Sequence, residues 1–290
     1  MRKIYFLLPA LALAACNNED VKENYNASPV SFMSDIAYEK VSSRSTVDNS
    51  WSGGEKIAVM IDGTVKEYTV SNDGVMTSET PFYWNEFSGS EVTVNAWYPY
   101  SETKQDVIVS ADQSTSEGYQ QSDFLEVTEA TVSKSNSVLS FSHRGTKLIL
   151  NVSLNDSFGN VAVKEMYVAN ISGVNGATEV KALKTADNVF VALIAGQNIA
   201  ESSDFLKIVF DDNRTAIYNT GTKVYTLDKG KYYTFNVTVN SLEEVTVSAA
   251  ESGAWVNVQD NLNGTHPTVT PESDGGQWNS TSEELQGTVS

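Results

Sequence analysis

The sequence is poor in the residues that carry most enzyme and metal chemistry. Its 290 residues include one cysteine, Cys16, and two histidines, His143 and His266. A single cysteine leaves no partner for a disulfide and excludes zinc sites built from several cysteines. His143 follows a predicted strand and is interpreted as structural, whereas His266 lies in a polar stretch without supporting residues. The sequence also has no Gly-x-Ser-x-Gly elbow and no Gly-rich phosphate loop, so we expect no enzyme activity, metal or cofactor.

Positive charge is also scarce. The chain has 19 Lys and Arg residues against 37 Asp and Glu residues, a formal net charge of −18. Proteins bind nucleic acid largely through patches of Lys and Arg. We therefore expect no nucleic-acid partner.

The N-terminal apolar run, Ile4–Ala15, is too short to cross a bilayer as a permanent helix, which needs ~20 residues. The run follows Arg2 and Lys3, an arrangement typical of a secretory signal. Leu13-Ala14-Ala15-Cys16 matches the lipobox of bacterial lipoproteins. We expect residues 1–15 to be a signal peptide and Cys16 to carry a lipid that holds the mature chain at a membrane.

The polar residues 16–28 predict a tether between that lipid and the first domain. Glu19 and Asp20 lie where acidic residues can signal export to the outer face of the outer membrane. They also fit a plain solvated tether, and both interpretations stay open.

Strand patterns dominate the rest of the chain. Lys147–Leu154 alternates apolar and polar side chains, as does Tyr233–Val239. Asp62-Gly63 and Asn72-Asp73-Gly74 supply the positive φ angles that tight hairpins need. Because no segment shows an apolar helical stripe, the sequence predicts an all-β fold of sandwich type with few short helices.

The polar stretch Thr128–Asn136 predicts a domain seam near residue 135, within about ten residues on either side. On this interpretation residues 29–135 form an N-terminal β-sandwich domain and residues 136–258 form a C-terminal one. Residues 259–290 contain no Lys or Arg and predict a polar, acidic tail that cannot order itself alone by burying apolar surface.

Aromatic residues cluster around two short segments. Trp84, Trp97 and Tyr100 could form an exposed platform that stacks on sugars. The alternative, which the composition favours, is that they pack in a sandwich core and between strands, where Trp and Tyr are common. The platform would make the chain a surface glycan-binding lipoprotein without catalysis; a hydrolase with an unrecognised site is a more distant alternative.

Several motifs, in order, resemble one family. Trp51–Val59 resembles the opening strand of the Mfa-like fimbrillins of Bacteroidetes, although Glu55 stands where that family more often has Asp. Val92–Tyr100 resembles the strand and turn that end in Tyr-Pro-Tyr, and Gly230–Val237 resembles a closing strand of the same family. Gln121–Leu125 and Leu139–His143 continue the pattern between them. The resemblance covers roughly residues 28–255.

The resemblance implies a fold and a function. The fold would be two tandem transthyretin-like, Greek-key β-sandwich domains. The chain would be a structural or adhesive subunit of a type V pilus, with other pilus subunits, an arginine-directed protease, the outer membrane and a surface receptor as partners. It would lie at the cell surface, as an outer-membrane lipoprotein, in a fimbrium, or both, as stalk, anchor or tip.

The resemblance also implies assembly by strand exchange. A protease would remove the first strand, and a strand from a neighbouring subunit would fill the groove. Val30–Ala37 is the candidate first strand, in which Val30, Phe32 and Ile36 could face the core. Arg44, in a polar segment just before Trp51, is the candidate cleavage site. Val245–Ser248 and Trp255–Val258 are the candidate donor strands.

Overall fold

The computed structural model describes residues 28–36 and 51–255, with side chains described for all of these except residues 35 and 36. The predicted signal peptide, the lipidation site Cys16, the candidate cleavage site Arg44, His266 and the tail 259–290 lie outside the described residues. Within them, the prediction of a nearly all-β fold with few short helices is confirmed, since strands alternate with turns along both described segments.

The first seven strands form one closed barrel in the order β1-β4-β3-β2-β5-β6-β7. Their bounds are β1 Phe32–Ile36, β2 Glu55–Ile61, β3 Thr64–Val70, β4 Val75–Thr77, β5 Glu91–Tyr98, β6 Leu125–Ser133 and β7 Val138–His143. Asp62 and Gly63 have φ angles of 48° and 77° and form the predicted two-residue turn between β2 and β3. A short 3-10 turn, Trp84–Glu86, lies between β4 and β5.

The remaining strands form two packed sheets and a small ribbon. One sheet has the order β10-β9-β14-β15, the other β11-β12-β8-β17-β18, and β13 pairs with β16. Their bounds are β8 Thr146–Leu154, β9 Val163–Ala169, β10 Glu179–Lys181, β11 Leu183–Ala186, β12 Val189–Ile194, β13 Gln197–Ile199, β14 Asp204–Phe210, β15 Thr215–Asn219, β16 Tyr225–Leu227, β17 Lys231–Val239 and β18 Val245–Ala254. Inward-facing residues of both sheets form one apolar core, in the manner of a sandwich.

Strand pairing places the division between barrel and sandwich later than the predicted seam. Residue 135 lies in the turn between β6 and β7, where the amide of Ser133 donates to the carbonyl of Asn136 at 2.8 Å. Leu139 and Phe141 of β7 are buried in the barrel core, and β8 begins in the sandwich at Thr146. Residues 128–133 of the polar stretch therefore belong to β6, residues 134–136 lie in the hairpin turn, and the change of sheet falls at residues 144–145.

The connecting segment, residues 99–124, links β5 to β6 of the barrel, packs against the sandwich and contains α1, Ser116–Gln120. The buried amide of Gln113 bonds the backbone of Leu193 twice, donating to its carbonyl at 2.8 Å and accepting from its N–H at 2.8 Å. Trp255, which follows β18, stacks on His143 with ring centroids 3.6 Å apart. These contacts fasten the segment and the end of the barrel to the outer face of the five-stranded sheet.

Candidate functional site

Strand β1 is the element that closes the barrel, and it is bonded along both edges. On one side it runs antiparallel to β4, and the amide of Ser34 donates to the carbonyl of Gly74 at 2.7 Å. On the other side it runs parallel to β7, and the amide of Met33 donates to the carbonyl of Ser137 at 3.0 Å. The residues just before β1 are bonded in the same way, because the amide of Val30 donates to the carbonyl of Phe82 at 2.7 Å. We call the surroundings of residues 30–36, formed by β4, β7 and the segment at Phe82, the seat of β1.

The inward side chains of β1 and of the residues just before it fill part of the barrel core. Val30 and Phe32 are buried there, as the sequence predicted for both. The Phe32 ring meets the Tyr68 ring edge to face, with centroids 5.2 Å apart. The Tyr68 hydroxyl accepts a hydrogen bond from the amide of Phe82 at 2.9 Å, and burial raises the pKa of Tyr68 to about 12. The same ring therefore supports both β1 and the segment that pairs with its start.

Ser34 and Gly74 form a close backbone contact at the centre of the seat. The buried Ser34 hydroxyl donates to the Gly74 carbonyl at 3.0 Å, alongside the Ser34 amide. Gly74 has φ +84°, and a Cβ atom built on it would lie 2.3 Å from the Ser34 carbonyl oxygen. Only glycine lets the turn before β4 approach β1 this closely.

Strand β1 holds most of β7 in the sheet. Residues 138–141 of β7 pair in register with residues 33–36 of β1, whereas only Ser142 and His143 of that strand pair in register with β6. Strand β4 has three residues and pairs with β1 at two positions. Without β1, the facing edges of β4 and β7 would be unpaired and the core pockets of Val30 and Phe32 would be open.

The chain leaves and re-enters the barrel at the same place. Ile36, the last residue of β1, lies opposite Phe141 in the parallel register. Trp51, where the second described segment begins, is buried with its ring centroid 5.5 Å from that of Phe141. Residues 37–50, which include Arg44, therefore connect two points that both lie beside Phe141.

The predicted aromatic platform does not form an exposed face. Trp84 is 6% exposed and packs in the barrel core. Trp97 is 4% exposed, and its indole N–H donates to the carbonyl and hydroxyl oxygens of Ser101, both at 3.1 Å. Trp97 lies on the opposite face of β5 from the core residue Ala96, and Tyr100 is half-buried. Trp84 therefore has the core position that was the alternative to the platform, whereas Trp97 is buried outside that core and Tyr100 is half-buried. Stacking on a sugar needs an open ring face, which the two buried tryptophans do not offer in this conformation.

The candidate donor strands are occupied in this conformation where they are described. Val245–Ser248 belongs to β18, which pairs with β17 from residue 245 to residue 254. Trp255 is buried against His143, and its amide donates to the carbonyl of Gly230 at 2.7 Å. Residues 256–258 lie outside the described residues.

His143 has the structural surroundings that the sequence predicted. Its ring is buried, and Nδ1 lies 2.7 Å from the Oδ1 atom of Asp123. Among residues 28–36 and 51–255, no group of three or more His, Cys, Asp or Glu residues could hold a metal ion. The helices of this part of the chain are also too short or too polar to cross a membrane.

Sequence reasoning missed two features of the seat. It identified Asn72-Asp73-Gly74 as a turn but not as the contact of Ser34, which lies 40 residues earlier. It also missed that Met33, Val75 and Val138 are exposed apolar residues on three neighbouring strands. The sequence carries no local signal for either, because both depend on which strands pair.

Comparison with known proteins identifies a family and structures of similar fold. A family model described as fimbrillin-like matches residues 43–255. A candidate cell adhesion protein of Bacteroides ovatus ATCC 8483 is 19% identical, with 79% of this chain and 98% of that chain covered and a TM-score of 0.55. A candidate cell adhesion protein of Bacteroides uniformis ATCC 8492 is 15% identical, with 79% and 99% covered and a TM-score of 0.51. These two likenesses show the fold. No curated protein matches the chain.

Proposed function

The chain belongs to the fimbrillin-like family, and we propose that it is a structural or adhesive subunit of a cell-surface pilus that assembles by strand exchange. The observation that carries this proposal is the seat of β1. A five-residue strand closes the barrel and is bonded on both edges. Phe32 of this strand and Val30 just before it place their apolar side chains in the barrel core. Such a strand can be replaced by another extended segment that repeats its backbone and side-chain contacts.

The physical basis is β-augmentation. Removing β1 exposes unpaired N–H and C=O groups on β4 and β7 together with two apolar pockets. Unpaired strand edges of this kind bind extended segments from other chains, and an added strand satisfies the edges and the pockets at once. In a pilus, that strand would come from a neighbouring subunit.

Arg44 is the proposed site where an arginine-directed protease cuts. The residues on either side of 37–50 both lie beside Phe141, and a cut within 37–50 leaves the seven described strands of the barrel intact. After the cut, Trp51 stays packed against Phe141 and Tyr98, with the Tyr98 ring centroid 5.7 Å away. Strand β1 would then be held only by noncovalent contacts that a competing strand can replace.

In this proposal the lipid on Cys16 is a temporary membrane anchor. It would hold the precursor at the outer membrane while β1 fills the slot, which is the space between β4 and β7 that removal of β1 would open. Cleavage at Arg44 would separate the subunit from both the lipid and the placeholder strand. In a subunit that is never cut, Cys16 would remain a permanent anchor.

The test is to treat the purified precursor with an arginine-specific protease. We expect a single cut after Arg44, identified by mass spectrometry, followed by ladders that resist mild denaturant on gels. Arg44→Ala should abolish both the cut and the ladders. Arg214→Ala is the matched control, because Arg214 lies in an exposed turn where it pairs with Asp212 at 2.6 Å, and it should change neither. A precursor that is cut at Arg44 but stays monomeric would contradict assembly by strand exchange.

A further inference from the structure

We propose that the slot of β1 selects its occupant by a four-position pattern, and this inference rests on the function proposed above. The occupant must place apolar side chains inward at the positions of Val30 and Phe32. It must also place an apolar side chain outward at the position of Met33 and a small hydroxyl side chain inward at the position of Ser34. The partner that fits is an extended segment of a neighbouring pilus subunit with the pattern apolar-x-apolar-apolar-Ser/Thr.

The outward requirement comes from an apolar row across three strands. Met33 lies opposite Val75 of β4 and opposite Val138 of β7 in the two registers. The three side chains are 46%, 40% and 49% exposed, respectively. They make up nearly half of the exposed large apolar side chains of the described residues, although β1, β4 and β7 are a small part of the surface. Such a concentration marks an interaction surface rather than scattered exposure.

The row makes the outer face of the slot selective. Directly opposed side chains on neighbouring strands stabilise a sheet through their contacts. A polar side chain at the Met33 position would leave Val75 and Val138 without an apolar neighbour between them. A strand that is apolar on its inward face alone would therefore bind less tightly than β1.

The inward requirement at the Ser34 position comes from Gly74. The Gly74 carbonyl accepts from both the amide and the hydroxyl of Ser34, and the backbones approach so closely that a Cβ on Gly74 would collide with the Ser34 carbonyl. Ser34 is itself buried. A larger side chain would overpack this point, so the slot accepts a small residue that can repeat the hydroxyl contact.

The chain's own residues 256–290 supply a natural negative control. They contain no two adjacent apolar residues. They therefore cannot supply the neighbouring apolar side chains that the pattern requires at the positions of Phe32 and Met33. Residues 254–262 include the apolar pair Val256 and Val258. A peptide with that sequence offers the two inward apolar positions without the outward one.

The experiment uses the full-length precursor cut within residues 37–50. A recognition sequence for a second protease, inserted there, keeps the test available if Arg44 is not cut. A fluorescent peptide of residues 28–36 is added in excess, and its uptake into the slot is followed by anisotropy. Unlabelled peptides then compete: the native sequence, Met33→Asn, Ser34→Leu, the matched control Ser31→Asn and residues 254–262. Ser31 faces outward like Met33 but precedes the apolar row.

We expect Met33→Asn to compete roughly 10-fold less well than the native peptide, because two cross-strand contacts are lost. Ser34→Leu should compete at least as poorly, and the peptide 254–262 should also be weak. Ser31→Asn should match the native peptide. If the labelled peptide is never taken up, the strand-exchange function itself fails. If it is taken up and Met33→Asn or residues 254–262 compete as well as the native peptide, the selectivity proposed here is overturned.

Discussion

The barrel and the sandwich are both β-structures with apolar cores, but they are closed in different ways. The sandwich is held by β17, whose nine residues pair with β18 on one side and with β8 on the other for most of its length. The barrel is closed by β1, which has five residues and pairs with β4 at only two positions. One unit is therefore held by a long strand that is paired along both edges, whereas the other is closed by a short strand with few pairings on one edge. If the proposed strand exchange occurs, β1 is the strand that would leave at the lower cost.

The largest expected effect tests whether the two cores are independent. Phe235→Ala in the sandwich and Phe32→Ala in the barrel each remove a buried ring and should each cost about 3–5 kcal/mol in the free energy of unfolding. Trp51, Trp84 and Trp97 lie in the barrel, so tryptophan fluorescence during urea unfolding reports mainly on that unit. Phe32→Ala should lower the urea midpoint of the fluorescence transition. Phe235→Ala should mainly lower the urea midpoint of the circular dichroism transition, which also reports on the sandwich. Equal shifts of both signals in both variants would show that the units unfold together.

A second, smaller effect tests the contact between Gly74 and β1. Gly74→Ala combines a positive φ with a collision against the Ser34 carbonyl, whereas Gly63→Ala has φ +77° and open space around the new Cβ. We expect Gly63→Ala to lower the free energy of unfolding by about 1 kcal/mol through backbone strain. Gly74→Ala should lower it by about 3 kcal/mol, because the collision adds to the strain. Urea midpoints measure both. Equal costs would mean that β1 does not hold the Gly74 turn at this distance.

The smallest effect tests how well the folded barrel keeps solvent away from the Tyr68 ring, which packs against Phe32 of β1. Burial raises the pKa of Tyr68 to about 12, above the value of about 10 in an unfolded chain. Because the folded pKa is the higher one, the stabilisation is complete below pH ~10 and is lost as the pH rises through ~12, by about 2–3 kcal/mol in total. Tyr68→Phe should make the barrel's loss of stability over this pH range shallower.

This slope should not vanish in Tyr68→Phe, because burial also raises the pKa of Tyr98 to about 12. At neutral pH the variant should lose about 1 kcal/mol with the hydrogen bond from Phe82. Fluorescence-detected urea unfolding at several pH values between 7 and 12 measures both effects. An unchanged slope would mean that Tyr68 is already open to solvent in the folded barrel.

The sequence predicted local structure well. Alternation in Lys147–Leu154 and Tyr233–Val239 predicted β8 and β17, and Asp62-Gly63 predicted the turn between β2 and β3. The inward positions Val30 and Phe32 were also predicted, because a strand with one buried face must alternate. These features depend on neighbours along the chain, which a sequence pattern records directly.

Features that depend on distant pairing were not predictable. The turn at residues 134–137 has the composition of a linker, and only the burial of Leu139 and Phe141 in the barrel core shows that β7 belongs with β6. Trp97 lies on the face of β5 away from that core, yet it is buried and bonded to Ser101 of the connecting segment. A sequence does not say which outward residues another segment will cover.

Phe141 is the point where the two described segments of the barrel meet. Ile36 lies opposite Phe141 in the parallel register, and the Trp51 ring packs against the same residue. Closing a longer loop between two points that are already held close together costs only about 0.6 kcal/mol per doubling of its length. If the proposed cut falls between these two points, changes in the length of the connection and in its recognition sequence would therefore cost the barrel little, while the strands on either side stay constrained by packing.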